Sequence, residues 1–167
     1  MVTRILFLCT GNATRSVLGG AALARLRPDL MVSTAGTLVV EGLRMSFRTR
    51  AGFAAIGLSA PDHRSRQATA GLVNRHDVVV AMAPEHVRWV RREHPSAAPR
   101  TATLKRLCRD LAAAAPLLAV RLAALDLGTV EVSDWEEVLD PDGGEVEQFV
   151  ECAIEIDALI TRLAAAL

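Results

Sequence analysis

Ile5-Leu6-Phe7-Leu8 is an apolar run with no polar alternation, and Val78-Val79-Val80-Ala81-Met82 is a second. A strand with one solvated face alternates. A strand that does not is buried on both faces, which is the pattern of a parallel sheet covered by helices. The segments between the runs agree. After the first comes a Gly-containing loop, then Val17-Leu18, Ala21-Ala22 and Leu26 at helical spacing up to Pro28. Met31-Val32-Ser33 predicts a short second strand before Ala35-Gly36, and Phe47 to Ile56 a helix ended by Gly57. Pro84 stands where proline opens a helix, here through Val87 and Val90. The order β-α-β-α-β-α predicts an α/β fold: one domain over 1–167, with a central parallel sheet of about four strands and helices on both faces.

A chain of 167 residues, 51% hydrophobic, is long enough for one real core. The stretch from Pro95 to Ser133 is rich in alanine and arginine; Leu104, Leu107, Cys108 and Leu111 form one helical stripe, and Leu117 to Leu125 a second. Val146, Phe149, Val150, Ala153, Ile156, Ile160 and Leu163 predict a long amphipathic closing helix packed on the sheet. The 19 basic and 19 acidic side chains cancel, so charge points to no nucleic-acid or membrane-surface partner. The 3 cysteines, Cys9, Cys108 and Cys152, are far apart and show neither a disulfide framework nor zinc spacing, which predicts a reducing cytoplasm. The apolar run at 5–9 is too short for a signal-peptide core, and no run is long enough to span a bilayer.

The chemistry concentrates in Cys9-Thr10-Gly11-Asn12-Ala13-Thr14-Arg15-Ser16. A thiol stands at the carboxyl end of the first strand, where open parallel sheets bind ligands. Backbone amides of such a loop form an anion nest, and the N-terminus of the next helix adds to the field. Arg15 supplies a planar fork for two phosphate oxygens. The field that holds a phosphate also favours a thiolate, and a thiolate beside a tetrahedral anion site is a nucleophile aimed at phosphorus. Taken singly, a cysteine after a buried strand is ordinary core and Ser16 an ordinary N-cap. An arginine in the first helical turn is electrostatically unfavourable unless an anion offsets it. The combination is what carries the reading. No metal or cofactor is expected, because the amides and Arg15 already supply the positive charge a cation would give. The four histidines, at 63, 76, 86 and 94, show no helical ligand pair.

Cys-x5-Arg-Ser after an N-terminal apolar strand, with Gly11-Asn12 inside the loop, resembles the low-molecular-weight protein tyrosine phosphatase family. Ser33-Thr34-Ala35-Gly36-Thr37, Asp62-His63-Arg64-Ser65-Arg66-Gln67, Asp77 to Met82 and Asp140-Pro141 are similar to further segments of that family, in the same order. The resemblance implies that Cys9 is the nucleophile and Arg15 the clamp, and that Thr10, Gly11, Asn12, Ala13, Thr14 and Ser16 complete the substrate loop. It implies that Asp140 is the general acid, with Asp142 and Asp134 the nearby competitors. Asn12 would hold an unusual backbone conformation, Ser16 would donate to the Cys9 sulfur, and Ser33 and His63 would support Asn12. The implied substrates are phosphorylated proteins, phosphotyrosine foremost, or small phosphomonoesters.

The sequence also departs from the family. Thr14 stands where many members have a second loop cysteine, so no protective disulfide with Cys9 is expected. Asp142-Gly143-Gly144 follows Asp140-Pro141 where phosphotyrosine enzymes often carry aromatics, and the chain has no tyrosine and only 4% aromatic residues. Gly19-Gly20 is expected to weaken the first helix. The long stretch between Met82 and Asp140 is expected to add a helix or lid near the site. Two other readings compete: arsenate reduction with an external thiol, and a non-catalytic phosphate-binding module.

Overall fold

The computed structural model describes residues 2–111 and 117–167. Strand β1 (Arg4–Cys9) leads through the Cys9 loop into helix α1 (Arg15–Leu26), and β2 (Met31–Gly36) follows. Next come α2 (Phe47–Ala55), α3 (Ala70–Asn74), β3 (Val78–Ala81) and α4 (Pro84–Glu93). A 3-10 turn (Pro95–Arg100) leads to β4 (Thr101–Thr103), α5 (Leu104–Asp110) and α6 (Leu118–Ala123). A second turn, Asp134–Glu136, precedes the long helix α7 (Val146–Ala166). The four strands pair in parallel in the order β2-β1-β3-β4.

The missing alternation in β1 has its cause here. Ile5, Phe7 and Cys9 face a core with Leu18, Phe53, Leu104 and Ile156, while Leu6 and Leu8 face a second core with Leu72, Val73 and Val90. Residues 5 to 8 are all 0% exposed, so every position is apolar. The closing helix packs against α1, α2 and α5, and its stripe Phe149, Ala153, Ile156, Ile160 and Leu163 belongs to the first core. A Cβ on Gly52 would stand 2.8 Å from the Phe149 carbonyl oxygen, so α2 and α7 touch through that glycine.

Gly19 and Gly20 have a comparable role. A Cβ at Gly19 would lie 2.7 Å from the Met82 methyl, and one at Gly20 2.5 Å from the Thr34 methyl. Each glycine gives up about 1 kcal/mol of helix propensity relative to alanine, and that loss lets α1 lie directly on the sheet.

Local capping sets the helix starts. Ser46 accepts from the Thr49 amide at 3.1 Å, and Thr103 from the Arg106 amide at 3.1 Å. Gly57, at φ +69°, ends α2 as expected. The expected lid is a correction. Helix α6 lies beside Val2, Thr3, His76 and Asp77, next to the amino ends of β1 and β3 and away from the Cys9 end. Leu122 is its buried anchor there. The alanine-rich part of that stretch, 112–116, lies outside the described residues. Strand β4 and helix α3 are additions that periodicity did not predict; each is too short to display a period. Among the described residues no helix is long and apolar enough to cross a membrane.

Candidate active site

The loop between β1 and α1 is held from outside by its carbonyls. Cys9 O accepts from the Thr37 amide at 2.9 Å, Thr10 O from Leu38 at 3.0 Å, and Thr14 O from Leu18 at 2.9 Å. Carbonyls bonded behind the loop leave its amides available to the concave side, as an anion nest requires. Gly36 makes the fit possible, since a Cβ there would collide with the Thr10 carbonyl oxygen and stand 2.9 Å from the Asn12 nitrogen.

Asn12 is the pivot. It sits at φ +50°, a left-handed conformation that Asn tolerates better than most residues, and it is fully buried. Its side-chain NH2 donates to Ser16 Oγ and Thr34 Oγ1, both at 3.0 Å, and its Oδ1 accepts from the Arg66 amide at 3.0 Å. Its carbonyl lies 2.8 Å from His63 Nε2 and accepts from Ser65 Oγ at 2.9 Å. Burial lowers the His63 pKa against the pull of that carbonyl, favouring the neutral ring that donates from Nε2. Thr14 Oγ1 meets Thr49 Oγ1 at 2.9 Å, tying the loop to the start of α2.

The chemically active groups converge on this frame. Cys9 Sγ lies 3.0 Å from Ser16 Oγ. Arg15, only 2% exposed, donates from Nη1 to the Val138 carbonyl at 3.0 Å and from Nη2 to Asp140 Oδ2 at 2.5 Å. The Asp140 side chain remains 42% exposed, so the carboxylate is held by Arg15 and still open to solvent. The Asp142 amide donates to Asp140 Oδ1 at 3.1 Å. Asp140, not Asp142 or Asp134, is thus the carboxylate placed on Arg15. Such a set can bind a tetrahedral dianion, offer it a sulfur nucleophile and supply a proton beside the leaving group.

Ser33 is the misplaced expectation. In the parallel register it pairs with Leu6, on the face opposite Phe7, whereas Thr34 pairs with Phe7 and reaches Asn12. A shift of one residue along a strand reverses the face. Sequence reasoning also missed His86, which is 1% exposed beneath the loop with Nε2 3.0 Å from Thr10 Oγ1. Burial, reinforced by the Arg15 charge, lowers its pKa to about 3, so the ring is neutral at working pH. Its one sequence signal was a polar residue on the buried side of α4, beside Val87 and Val90.

A parallel sheet covered on both faces, with Cys-x5-Arg wrapped around its first strand end, defines an α/β phosphate-loop protein. Residues 4–116 match the sequence profile of the low molecular weight phosphotyrosine protein phosphatases, and the chain belongs to that family. It is 30% identical over 165 residues to a protein-arginine-phosphatase of Geobacillus stearothermophilus, covering 98% of this chain and 95% of that protein. The solved structure of the arginine phosphatase YwlE from that organism superposes with a TM-score of 0.77 at 29% identity, over 97% of this chain and 90% of that one. The match to the probable low molecular weight protein-tyrosine-phosphatase EpsP of Ralstonia solanacearum is 32% identical and covers 58% of this chain, but only 66% of that protein's length. A low molecular weight protein tyrosine phosphatase structure from T. tengcongensis gives a TM-score of 0.79 at 25% identity, covering 99% of both chains.

The Asn12 geometry yields a paired test. Asn12→Gly loses the side-chain bonds but tolerates φ +50°; Asn12→Ala loses the bonds and adds left-handed strain. Urea unfolding should show both destabilised, the alanine variant by a further ~1–2 kcal/mol. Equal losses in the two variants would remove backbone strain from the account.

Proposed function

We propose that this protein is a cysteine-dependent phosphatase, working as a single catalytic domain over 1–167. The observation that carries the reading is Arg15: buried in the Cys9 loop, it holds Asp140 at 2.5 Å, so anion clamp and proton donor share one guanidinium. A phosphoryl group entering the loop competes with Asp140 for that fork, which turns the carboxyl toward the leaving oxygen. The Cys9 thiolate attacks phosphorus, the bond to the leaving oxygen breaks, and Asp140 delivers the proton. Ser16 donates to the sulfur. In the second half Asp140 takes a proton from water, which attacks the cysteinyl phosphate and releases inorganic phosphate and the Cys9 thiolate. Thr10, Gly11, Ala13 and Thr14 line the oxyanion nest, while Asn12 and His63 keep its shape.

The other two thiols argue against an internal arsenate-reductase relay. Burial pushes Cys108 up to about 11 and Cys152 up to about 12, so neither offers an appreciable thiolate near neutral pH. Three free cysteines suit a reducing compartment, and we place the activity in the cytoplasm.

Two substitutions test the mechanism. Cys9→Ser should abolish turnover of p-nitrophenyl phosphate while inorganic phosphate still binds; near wild-type turnover would sink the mechanism. Asp140→Asn should slow phenyl phosphate far more than p-nitrophenyl phosphate, because only the more basic leaving oxygen needs the proton. A general acid contributes about 10²–10⁴-fold. Asp142→Asn and Asp134→Asn are the controls, and selective loss in either of them instead would move the acid.

A second reading concerns the substrate, and the rim of the site favours it. Residues 139–144 read Leu-Asp-Pro-Asp-Gly-Gly, with Asp140 and Asp142 both exposed and no aromatic wall. Exposed carboxylates disfavour an acidic phosphotyrosine peptide and favour a leaving group that departs as a cation. The relative that matches across 98% of this chain is a protein-arginine-phosphatase. Steady-state kinetics should show a phosphoarginine peptide preferred over a phosphotyrosine peptide, with the preference reduced in Asp142→Asn. Strong selectivity for phosphotyrosine peptides over simple aryl phosphates would overturn this reading.

A further inference from the structure

The chain that carries Asp140 is irregular, and its anchoring is not local. Between α6 and α7 only the turn Asp134–Glu136 is regular. The carbonyls of this stretch are taken by arginines from other elements. Arg91 donates to Leu127 and Val130 at 2.8 and 2.6 Å, Arg106 to Glu131 at 2.7 Å, and Arg15 to Val138 at 3.0 Å. The buried carboxylate that answers Arg106 is Glu136, at 0% exposure. Its Oε2 accepts from Thr103 Oγ1 at 2.6 Å and Arg106 Nε at 2.9 Å. Its Oε1 accepts from Arg106 Nη2 at 2.6 Å and the Ser133 amide at 2.9 Å. Burial pushes this carboxyl up, but the bonds from Arg106, Thr103 and Ser133 more than offset that and leave it below its ordinary value.

Thr103 ends β4 and Arg106 lies in the first turn of α5, so Glu136 fastens the irregular segment to the carboxyl end of the sheet. Two residues on, Val138 is fully buried and donates its amide to the Met82 carbonyl at 2.8 Å. Leu139 is 71% exposed, and Asp140 follows. The last fixed points before the acid are therefore Glu136 and Val138. A buried ion pair adds little stability over an apolar replacement, because desolvation of both ions opposes their attraction; what it fixes is geometry. The geometry at stake here is the approach of Asp140 to Arg15.

We propose that the Glu136–Arg106 pair is a positioning device for proton donation, clamping segment 131–138 so that Asp140 is held at the loop. This rests on the reading of Asp140 as the general acid. Glu136→Gln keeps the volume and removes the charge. Its phenyl phosphate turnover should fall about tenfold more than its p-nitrophenyl phosphate turnover, a part of the full general-acid effect. Inhibition by inorganic phosphate should change far less than phenyl phosphate turnover, since the Cys9–Ser16 backbone that holds the anion is untouched. In an Asp140→Asn background the same change should add no further selective loss, because both act through one proton. Hydrogen exchange at Val138 and across 139–144 should accelerate. Arg106→Lys, which keeps the cation without the fork, should move every readout in the same direction by less, and it carries the test if Glu136→Gln does not fold.

Equal losses on both substrates, additivity with Asp140→Asn, or unchanged exchange would each overturn the clamp. Should Asp140→Asn alone lose nothing selectively, the acid assignment fails. Exchange then decides the clamp on its own: faster exchange in Glu136→Gln upholds it, and unchanged exchange ends it.

Discussion

The chain turns through Asn12 at φ +50°, and the organisation of the site depends on that turn being held. A left-handed residue between a strand and a helix is unfavourable in isolation. Here it is over-determined: the Asn12 carbonyl is bonded by His63 and Ser65, and its side chain by Ser16, Thr34 and the Arg66 amide. Those partners come from α1, β2 and the stretch before α3, so a local conformation is stabilised by long-range packing. The result is a loop whose Cys9, Thr10, Asn12 and Thr14 carbonyls are bonded behind it. That arrangement lets neutral amides act collectively as a positive surface.

The sheet makes the arrangement durable. β1 is central, paired on one side with β2 and on the other with β3. The Cys9 end is thus flanked by Gly36 and by the β3 exit at Met82. Each neighbour has a separate task. Gly36 lets the loop approach, and the Met82 carbonyl receives the Val138 amide that brings in the Asp140 segment. Fold and site are coupled through these few backbone contacts rather than through general burial.

Much of the first half was legible in the sequence, because its determinants are local. A non-alternating strand, a cysteine, an arginine five intervening residues later and a helical stripe all lie within the first 27 residues. The support residues were less legible. Ser33 and Thr34 are chemically alike and adjacent; only the register of β2 against β1 decides which hydroxyl faces Asn12. His86 looked like one polar residue among several on α4, and only burial beside Thr10 distinguishes it. The Gly19-Gly20 pair read as a defect of the helix until Met82 and Thr34 were seen to fill the space a Cβ would occupy.

In the second half the closing helix was legible, but the support of Asp140 was opaque for a physical reason. Asp140 is placed by Glu136, Arg106, Thr103, Met82 and Arg15, which come from four separate stretches of chain. None of these has a sequence signature, since a buried ion pair is two ordinary charged residues until the fold removes their water. Once water is removed, an unpaired member would be strongly unfavourable, so Glu136 and Arg106 each require the other. The same requirement applies at Arg15, buried in the Cys9 loop and paired to the Asp140 carboxylate. Cys9 and Asp140 therefore rest on different kinds of determinant: Cys9 on a contiguous loop, Asp140 on charge pairs assembled across the sheet's end. Arg15 belongs to both, so in the proposed mechanism the guanidinium is the point where phosphate binding and proton delivery are coupled.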